Sequence, residues 1–398
     1  MISSNISLKL FTCSIILLIL HSMNAWFLWD VDIAIFETMA LFFGLIYKNS
    51  VVSKKQFKKK NLLIIALLLI ITTIYKSSYG LHFIFELKIS LLVLLFVNYK
   101  AWKYILDKWT KVFAFILLVS LIAWGISFTG ILPSFGIISP SSLGDTDYLY
   151  INYGLCLISL NTIGDIFRFT SVFLEPGHVA MIAVFTIIAN NYNFRNKSVF
   201  IILIALLFTL SLAGYVLLFF GYLIKLFNSG ALTFFLKKFV PYIIFTVVLF
   251  SFSTYYNNGD NILNNYIFSR LEYDEDKGIS GNNRTTVFLD LQFEKFVDSD
   301  EFLLGMNPTD YKILRENKFW TGAGYKVYLF EKGVVGTVLV FLLYFSFLGI
   351  VDDKRYAFGV LIIYVLCFIQ RAYPLWNAWI YLYVLTLLNS LKYNNKKI

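Results

Sequence analysis

Long apolar stretches recur along the whole chain, and this feature constrains the possible folds more than any other. A helix needs about 20 mostly apolar residues to cross the hydrocarbon core of a bilayer, and on that basis the sequence predicts about 12 spans, with about 10 as the lower limit. Their approximate positions are 8–28, 31–47, 61–76, 81–98, 110–132, 171–190, 198–212, 213–228, 238–255, 327–350, 356–371 and 374–391. The pair 198–212 and 213–228 could instead be one long bent helix. We therefore expect an all-α integral membrane protein.

The composition agrees with this expectation. Hydrophobic residues make up 59% of the chain and charged residues 15%, whereas soluble domains carry about 25% charged residues. Cys13, Cys156 and Cys367 show no paired spacing, so we expect neither a disulfide framework nor a metal site. The first apolar stretch lacks a clear small-residue cleavage site and another follows closely, which favours a retained helix over a signal peptide.

The positive charge is distributed as in a membrane protein. A net charge of +10 could indicate a nucleic-acid partner, but the lysines occupy short loops between apolar stretches, as at Lys54, Lys55 and Lys58. Cytoplasmic loops of membrane proteins carry such an excess of lysine and arginine. With both termini in the cytoplasm, the inner segments hold 21 of the 34 basic residues. We therefore expect a lipid bilayer, and no nucleic acid, as the partner of this charge.

Two outer segments are long enough to carry a function, within a chain that we treat as one polytopic membrane domain over residues 1–398. They are 133–170 and 255–332. The second has nine basic and 13 acidic residues, a net charge of −4, while the rest of the chain carries +14. Its stretch Val287–Val297 is amphipathic, with Val287, Leu291 and Glu294 on one side. We expect short helices in this segment.

The ionisable residues with the most chemical promise surround a predicted helix start. Charges within apolar spans cost about 2.5–3.5 kcal/mol each on insertion scales, so they usually serve a purpose. Pro176 suits the first helical turn, which places Glu175 beside the positive end of the helix dipole. His178 lies on the same face, and Arg168 precedes both at the outer surface. Either Glu175 caps the helix and His178 is a satisfied structural residue, or they form an anion- and proton-handling site.

Other residues could bind anions from the outer side. Arg270 and Arg284 lie in the long outer segment, where an arginine is either solvated or available to grip phosphate. Arg371, just before Pro374, could anchor to lipid headgroups or contact a pyrophosphate. The glycine-containing stretch 321–325 could cradle a phosphate or form a flexible start to the next helix.

The remaining signals are weaker. Glu37 lies at the outer end of the second predicted span, where a charged side chain can reach the interface. No HExxH, Walker, CxxC or Ser-elbow motif occurs, and three histidines do not favour a His-rich metal site. We therefore expect no metal and no cofactor.

Residues 165–350 resemble the bacterial Wzy-type repeat-unit polymerases of O-antigen and capsule synthesis, which form one superfamily with the O-antigen ligases. The residues that carry the resemblance are Arg168, Glu175-Pro176-Gly177-His178-Val179-Ala180, Leu210-Ser211-Leu212-Ala213-Gly214, Arg284, Leu304-Gly305, Tyr328-Leu329 and Gly333-Val334-Val335-Gly336. No single motif is specific, and the ordered set is what indicates the family.

The resemblance implies a GT-C-like, metal-independent, inverting glycosyltransferase in the bacterial cytoplasmic (inner) membrane, with its active site facing the periplasm or outside. Such enzymes move a growing glycan from undecaprenyl pyrophosphate to the terminal sugar of an incoming lipid-linked unit, in O-antigen, capsule or exopolysaccharide synthesis. A chain-length regulator protein is an expected partner. Glu175 or His178 would serve as the base. The resemblance matches Arg168 and Arg284 to the arginines that bind the pyrophosphate, and Arg270 and Arg371 are further candidates from their own positions in the sequence.

Two alternatives remain open. Ligases of the superfamily carry a histidine just before the late glycine-containing helix, where this chain has Gly324-Tyr325-Lys326-Val327. A lipid-linked sugar flippase or another transporter would show inverted repeats and broken helices at matched positions, and the sequence shows neither. The long outer segment late in the chain favours an enzyme.

Overall fold

The computed structural model describes residues 4–50, 59–74, 88–140, 148–160, 168–228, 247–248, 250–261, 264–265, 273–274, 278–279, 287–315, 324–371 and 373–387. These residues are mostly helical. The α-helices are α1 Ser4–Ser22, α2 Ile33–Ser50, α3 Lys59–Ile74, α4 Ile89–Phe96, α5 Tyr99–Ser127, α6 Pro176–Ala189, α7 Lys197–Phe208, α8 Leu212–Asn228, α9 Val287–Val297, α10 Pro308–Arg315, α11 Gly324–Ser346, α12 Lys354–Gln370 and α13 Asn377–Thr386. The strands are β1 Ile137–Ile138, β2 Tyr150–Asn152, β3 Leu157–Ser159, β4 Tyr273–Asp274 and β5 Gly278–Ile279.

Within the described part of the chain, three helices are long and apolar enough to cross a bilayer. They are Ser4–Ser22, Tyr99–Ser127 and Gly324–Ile350, the last including a terminal 3₁₀ turn. Four shorter apolar helices cover Leu63–Ile74, Pro176–Ala189, Lys197–Phe208 and Leu212–Phe227. The expectation of apolar helices is confirmed, and the count of 12 spans stays a prediction.

The structure shows where two of the predicted spans begin and end. The pair 198–212 and 213–228 forms two helices, α7 and α8, because Thr209–Ser211 interrupts them and Leu210 has a φ of 46°. The predicted span 171–190 is helical only from Pro176 onwards. A proline at the first helical position disfavours the helical conformation in the residue before it, and Glu175 is accordingly extended, with φ −128° and ψ 137°.

Within the mostly helical structure, a small antiparallel sheet occurs in each of the two segments predicted to lie outside. In 133–170, β2 pairs with β1 and β3, with Ile151 opposite both Ile137 and Ile158. In 255–332, β4 pairs with β5. Gly154, in the short connection between β2 and β3, has a positive φ of 78°, which allows this tight return of the chain.

The chain divides into two compact units. Unit 1 comprises Met1–Thr209, Val338–Leu361 and Pro374–Ile398, and unit 2 comprises Leu210–Thr337 and Ile362–Tyr373. In unit 1, α1 packs against α2, α5 against α7, and α6 against both α7 and α13. Every residue from His178 to Ala189 in α6 and every residue of α13 is buried. These two helices are therefore the centre of unit 1.

Unit 2 has a core of its own around the predicted helix Val287–Val297. This helix is confirmed as α9 with the same bounds. Leu289 and Phe296 are buried against Phe330 of α11, whereas Leu291 is exposed. The buried side of α9 is therefore the one that faces Phe330, a partner that comes from a distant part of the sequence.

A glycine clamp interrupts α11 within unit 2. We use this name for Leu303–Gly305 together with Phe330–Val335. Gly333 leaves the helical conformation, with φ 61° and ψ −172°, and a Cβ there would approach the Leu303 carbonyl oxygen to 2.5 Å. The Met306 amide donates to the Phe330 carbonyl at 2.7 Å, and the Val335 amide to the Leu303 carbonyl at 3.0 Å. The two segments thus touch backbone to backbone, which only glycine permits.

Candidate functional site

The pre-helix segment, residues 168–175, is held on several sides within unit 1. The Phe169 amide donates to the Phe208 carbonyl at 3.2 Å, at the end of α7. The Thr170 hydroxyl donates to the Leu157 carbonyl of β3 at 2.6 Å. The Tyr150 hydroxyl of β2 donates to the Leu174 carbonyl at 3.0 Å. The segment is therefore fixed by α7 and by the small sheet, although it has no regular structure of its own.

Ser171 has an unusual backbone conformation within this segment. Its φ is +57°, a conformation that costs about 1–3 kcal/mol for a non-glycine residue and persists only where surrounding contacts impose it. Its hydroxyl donates to the Ser120 hydroxyl of α5 at 2.8 Å. Its carbonyl accepts from the Leu157 amide at 2.8 Å. The chain is thereby directed into α6 with Glu175 at the helix start.

Glu175 and His178 come together at the N-terminus of α6, as the sequence predicted. Glu175 is the N-cap residue, but its side chain makes no capping hydrogen bond. The His178 Nε2 lies 3.8 Å from the Glu175 Oε2, within ion-pair distance but too far for a hydrogen bond. The His178 side chain is 5% exposed and that of Glu175 is 43% exposed. The interpretation of Glu175 as a simple side-chain cap is therefore wrong, and its carboxylate is partly exposed.

An aromatic residue that the sequence reasoning missed completes this pair. The Trp376 ring contacts the His178 ring edge-on, with the centroids 5.1 Å apart. Trp376 is the N-cap of α13, and α13 packs against α6 in the core of unit 1. The side chains at the two adjacent helix starts thus form one cluster of a carboxylate, an imidazole and an indole. Nothing local in the sequence marks Trp376, which lies about 200 residues from His178.

A second polar cluster surrounds the next residue of α13. The Asn377 Nδ2 lies 3.5 Å from the Glu37 Oε1, and the two side chains are buried. Ser90 hydrogen-bonds to Glu37 through its side chain and backbone, and the Lys88 charge acts on the same carboxylate. Glu37 lies where the sequence allows a charged side chain to reach the interface, but the structure buries it, with only 2% of the residue exposed.

The buried carboxylate of Glu37 is incompletely paired among the described residues. The Glu37 Oε2 and the Asn377 Oδ1 have no hydrogen-bond partner there. The Ser90 hydroxyl meets the Tyr381 hydroxyl, which ties the cluster to α13 one turn further on. The Ala378 amide donates to the Ser22 hydroxyl at 2.8 Å, so α1 also holds the start of α13. These contacts set the position of Trp376 against His178.

Arg168 lies at the far end of the pre-helix segment. Its Nε donates to the Thr209 carbonyl at 2.9 Å, and Thr209 is the C-cap of α7. A cation at a helix C-terminus is favoured by the helix dipole. This bond orients the guanidinium, and Arg168 is only partly buried. The arginine therefore has a structural contact in addition to any role in ligand binding.

The other predicted arginines fall elsewhere. Arg371 belongs to unit 2 and is buried, 7% exposed. A Cβ on Gly324 would come within 2.3 Å of the Arg371 backbone nitrogen, so Gly324 is required for close contact at the start of α11. This explains one glycine of the stretch 321–325 without a phosphate. Arg270 and Arg284, and residues 321–323 of that stretch, lie outside the described residues.

Among the described residues, no group of three or more His, Cys, Asp or Glu side chains could hold a metal ion. Comparisons with protein-family models, with curated proteins and with solved structures gave no match. The chemistry must therefore be read from the site itself.

Proposed function

We propose that the protein polymerises lipid-linked oligosaccharide repeat units at the outer face of the bacterial cytoplasmic membrane. In this proposal it is a metal-independent, inverting glycosyltransferase with a GT-C-like architecture of about 12 spans. The observation that carries the proposal is the cluster of Glu175, His178 and Trp376 at the N-terminus of a central, otherwise apolar helix, with Arg168 on the segment that leads into it. The family resemblance supplies the substrate class.

The cluster is chemically suited to activating a hydroxyl group. Glu175 is accessible and lies at the positive end of α6, which favours its ionised form. His178 is held by helix α6 and by the Trp376 ring, so it can orient the carboxylate or an incoming sugar. The 3.8 Å separation is long for a hydrogen bond, and such contacts often tighten only when the substrate is bound.

The proposed step is a displacement at C1 of a sugar, coupled to the transfer of one proton. The acceptor hydroxyl oxygen of the incoming unit attacks C1 of the sugar that joins the growing glycan to undecaprenyl pyrophosphate. The bond between C1 and the phosphate oxygen breaks, the configuration at C1 inverts, and undecaprenyl pyrophosphate leaves with the bonding electrons. The hydroxyl proton passes to the Glu175 carboxylate. Arginines would stabilise the charge that develops on the leaving group.

Among the four candidate arginines, Arg168 lies nearest to Glu175 in the sequence. Its guanidinium has five donors, of which the Nε donor is used by Thr209, and the terminal nitrogens have the fork geometry that suits phosphate oxygens. A role for Arg284 and a chain-length regulator as partner rest on the resemblance alone, and roles for Arg270 and Arg371 rest on their positions in the sequence.

The test is Glu175→Gln, which keeps the shape of the side chain and removes its basicity. Purified protein supplied with synthetic lipid-linked repeats should lose elongation by about 10²–10⁴-fold, as expected for a lost general base. Cells should then display surface glycans of one repeat unit and no longer chains. Glu294→Gln on α9 is the matched control, because Glu294 is exposed and lies in unit 2. This control should elongate normally.

Two other outcomes would contradict the proposal. Near-normal elongation by Glu175→Gln would limit Glu175 to a structural role at the helix start. Loss of even the single-repeat surface glycan, with purified elongation intact, would point to export or ligation, the activities of a flippase or a ligase.

A further inference from the structure

Glu37 and Asn377 leave complementary atoms without partners in the interior of unit 1. The Asn377 Nδ2 donates to the Glu37 Oε1. The other oxygen of each side chain, the Glu37 Oε2 and the Asn377 Oδ1, has no hydrogen-bond partner among the described residues. The two residues are only 2% and 1% exposed. Because buried polar groups are nearly always hydrogen-bonded, two acceptor atoms that lack a donor on one contacting pair require an explanation.

A single proton on Glu37 would satisfy both atoms. A protonated carboxyl group is a donor and an acceptor at once, whereas an ionised carboxylate only accepts. With the proton on Oε2, this oxygen can donate to the Asn377 Oδ1 while Oε1 accepts from the Asn377 Nδ2. The acid and the amide then form a ring that two hydrogen bonds close. An ionised Glu37 would leave the Asn377 Oδ1 without a donor.

The separation of the two side chains also favours the neutral acid. The Asn377 Nδ2 lies 3.5 Å from the Glu37 Oε1, longer than the usual N–H···O distance of about 2.7–3.2 Å. Hydrogen bonds to an ionised acceptor are shorter and stronger than those between neutral groups. A carboxylate anion would therefore draw the amide closer than it is.

The groups around Glu37 do not neutralise a negative charge there by direct pairing. From α4, the Lys88 charge acts on the carboxyl group and Ser90 hydrogen-bonds to it. On α13, the Tyr381 hydroxyl meets Ser90. On α1, the His21 Nε2 donates to a backbone carbonyl at 2.8 Å. No ion pair with Glu37 occurs in the part of the chain that the structure describes. A buried carboxylate without an ion-pair partner is costly, and protonation removes that cost.

We propose that Glu37 binds a proton and shares it with Asn377 in a buried carboxylic acid–amide pair. The pair joins α2 to the first turn of α13, directly after Trp376, whose ring contacts His178. Loss of the proton would leave a buried anion at this joint, so it should shift the start of α13 against α6. The inference does not depend on the proposed enzymatic activity.

The test is infrared spectroscopy of the full-length protein in dodecyl maltoside, a detergent without an ester carbonyl. At about pH 7 an ordinary glutamate, with a pKa of about 4.3, is ionised. A protonated carboxyl group gives a separate carbonyl stretching band above the amide band. This band should be present in the parent protein and disappear in Glu37→Gln. The control Glu294→Gln, at an exposed residue of α9, should retain it. If Glu37→Gln removes no such band, the proposal is overturned.

A second variant tests whether the proton is shared. Asn377→Leu removes the amide and leaves the Glu37 acid without this acceptor. The carbonyl band should then move to higher wavenumber, because a free acid absorbs above a hydrogen-bonded one. A band that Glu37→Gln removes but Asn377→Leu does not move would overturn the pairing with Asn377.

Unfolding midpoints in the same detergent give an independent readout. The amide of Glu37→Gln can donate to the Asn377 Oδ1 in place of the acid, so the midpoint should stay near that of the parent protein. Glu37→Leu has a similar volume but no donor, and its midpoint should fall. Equal losses in the two variants would overturn the proposal and assign Glu37 to an anion balanced by the Lys88 charge.

Discussion

The pre-helix segment and the glycine clamp both contain non-helical backbone next to a helix, and different contacts hold each of them in place. In each, non-helical backbone leads into a helix, α6 in one case and the second part of α11, after Gly333, in the other. The pre-helix segment is held largely by side chains, including the hydroxyls of Tyr150, Thr170 and Ser171. The clamp is held by backbone contacts that exclude any Cβ at Gly305 and Gly333.

The charged groups of the two regions also differ. Around the clamp, the Lys326 Nζ lies 2.5 Å from the Asp290 Oδ1, and the Lys332 Nζ lies 3.0 Å from the Glu331 Oε1. Around the pre-helix segment, Glu175 and His178 stand 3.8 Å apart. Closed ion pairs flank the clamp, whereas Glu175 and His178 are too far apart for a hydrogen bond and the Glu175 side chain is 43% exposed. We therefore expect substitutions in the first region, around the pre-helix segment, to affect the proposed chemistry and substitutions in the second, around the clamp, to affect stability.

The largest effect that would sharpen this contrast is expected at Arg168. Arg168→Ala should abolish polymer in cells while the protein level stays normal, because the pyrophosphate charge would lose its counter-charge. Arg168→Lys should restore little activity, since lysine lacks the planar fork that binds two oxygens and also donates to Thr209. Polymer length in cells and the KM for lipid-linked repeats are the measurements.

The control for Arg168 comes from the other unit. Arg315→Ala removes an exposed arginine at the end of α10 and should leave polymer length unchanged. A full-length ladder in Arg168→Ala would remove this arginine from the site. A lower unfolding midpoint with an unchanged KM would reduce it to a structural contact with α7.

The clamp should respond in stability and not in chemistry. Gly333→Ala places a Cβ within 2.5 Å of the Leu303 carbonyl oxygen and the Gly305 nitrogen, at a φ of +61°. Overpacking and backbone strain together should cost about 2–5 kcal/mol of unfolding free energy. Gly125→Ala on α5 is the matched control, because nothing lies within 4 Å of its added Cβ.

In detergent, Gly125→Ala should be neutral or stabilise the protein slightly, since alanine favours a helix by about 0.5–1 kcal/mol over glycine. The activity per folded Gly333→Ala molecule should remain near that of the parent chain. An unchanged unfolding midpoint for Gly333→Ala would show that the clamp does not support unit 2.

A smaller effect is expected from the ion pair beside the clamp. Lys326 is 13% exposed and Asp290 is 44% exposed, so solvent screens the interaction partly. Asp290→Asn should cost up to about 1 kcal/mol, the usual range for such pairs. Lys326 also lies 5.0 Å from the Phe293 ring centroid, a contact that the Asn variant retains. A double-mutant cycle with Lys326→Met isolates the pair, and a coupling energy near zero would mean that the pair does not stabilise unit 2.

The smallest effect concerns pH. Burial, and then the nearby Glu331 charge, raise the pKa of Tyr311 above its ordinary value, while Arg315 opposes the shift. The native state therefore keeps the phenol proton at pH values where the unfolded chain, with a pKa of about 10, releases it. Stability should be complete below about pH 10 and fall as the pH rises further. Unfolding midpoints between about pH 8 and 11 should fall less steeply in Tyr311→Phe; equal slopes would contradict this assignment.

Local sequence signals predicted the elements better than their partners. The amphipathic stretch Val287–Val297 formed a helix with those bounds, and Pro176 began α6 as expected. The sequence did not predict which side of α9 is buried, and Glu37, placed where a charged side chain can reach the interface, is buried. In both cases the outcome depends on which distant helix packs against the residue, and hydrophobic periodicity does not contain that information.

The candidate site also combines contacts that local sequence predicts with contacts between distant elements. The three-residue spacing of Glu175 and His178 already places them on one face of a helix, so their pairing follows from helix geometry. Trp376 against His178, Asn377 against Glu37 and Arg168 against Thr209 each join residues from separate elements. Apolar stretches, a proline and a helical period therefore determined where helices form in this chain. Only the tertiary structure decided which helix starts meet, because that choice depends on the burial of complementary surfaces far apart in the sequence.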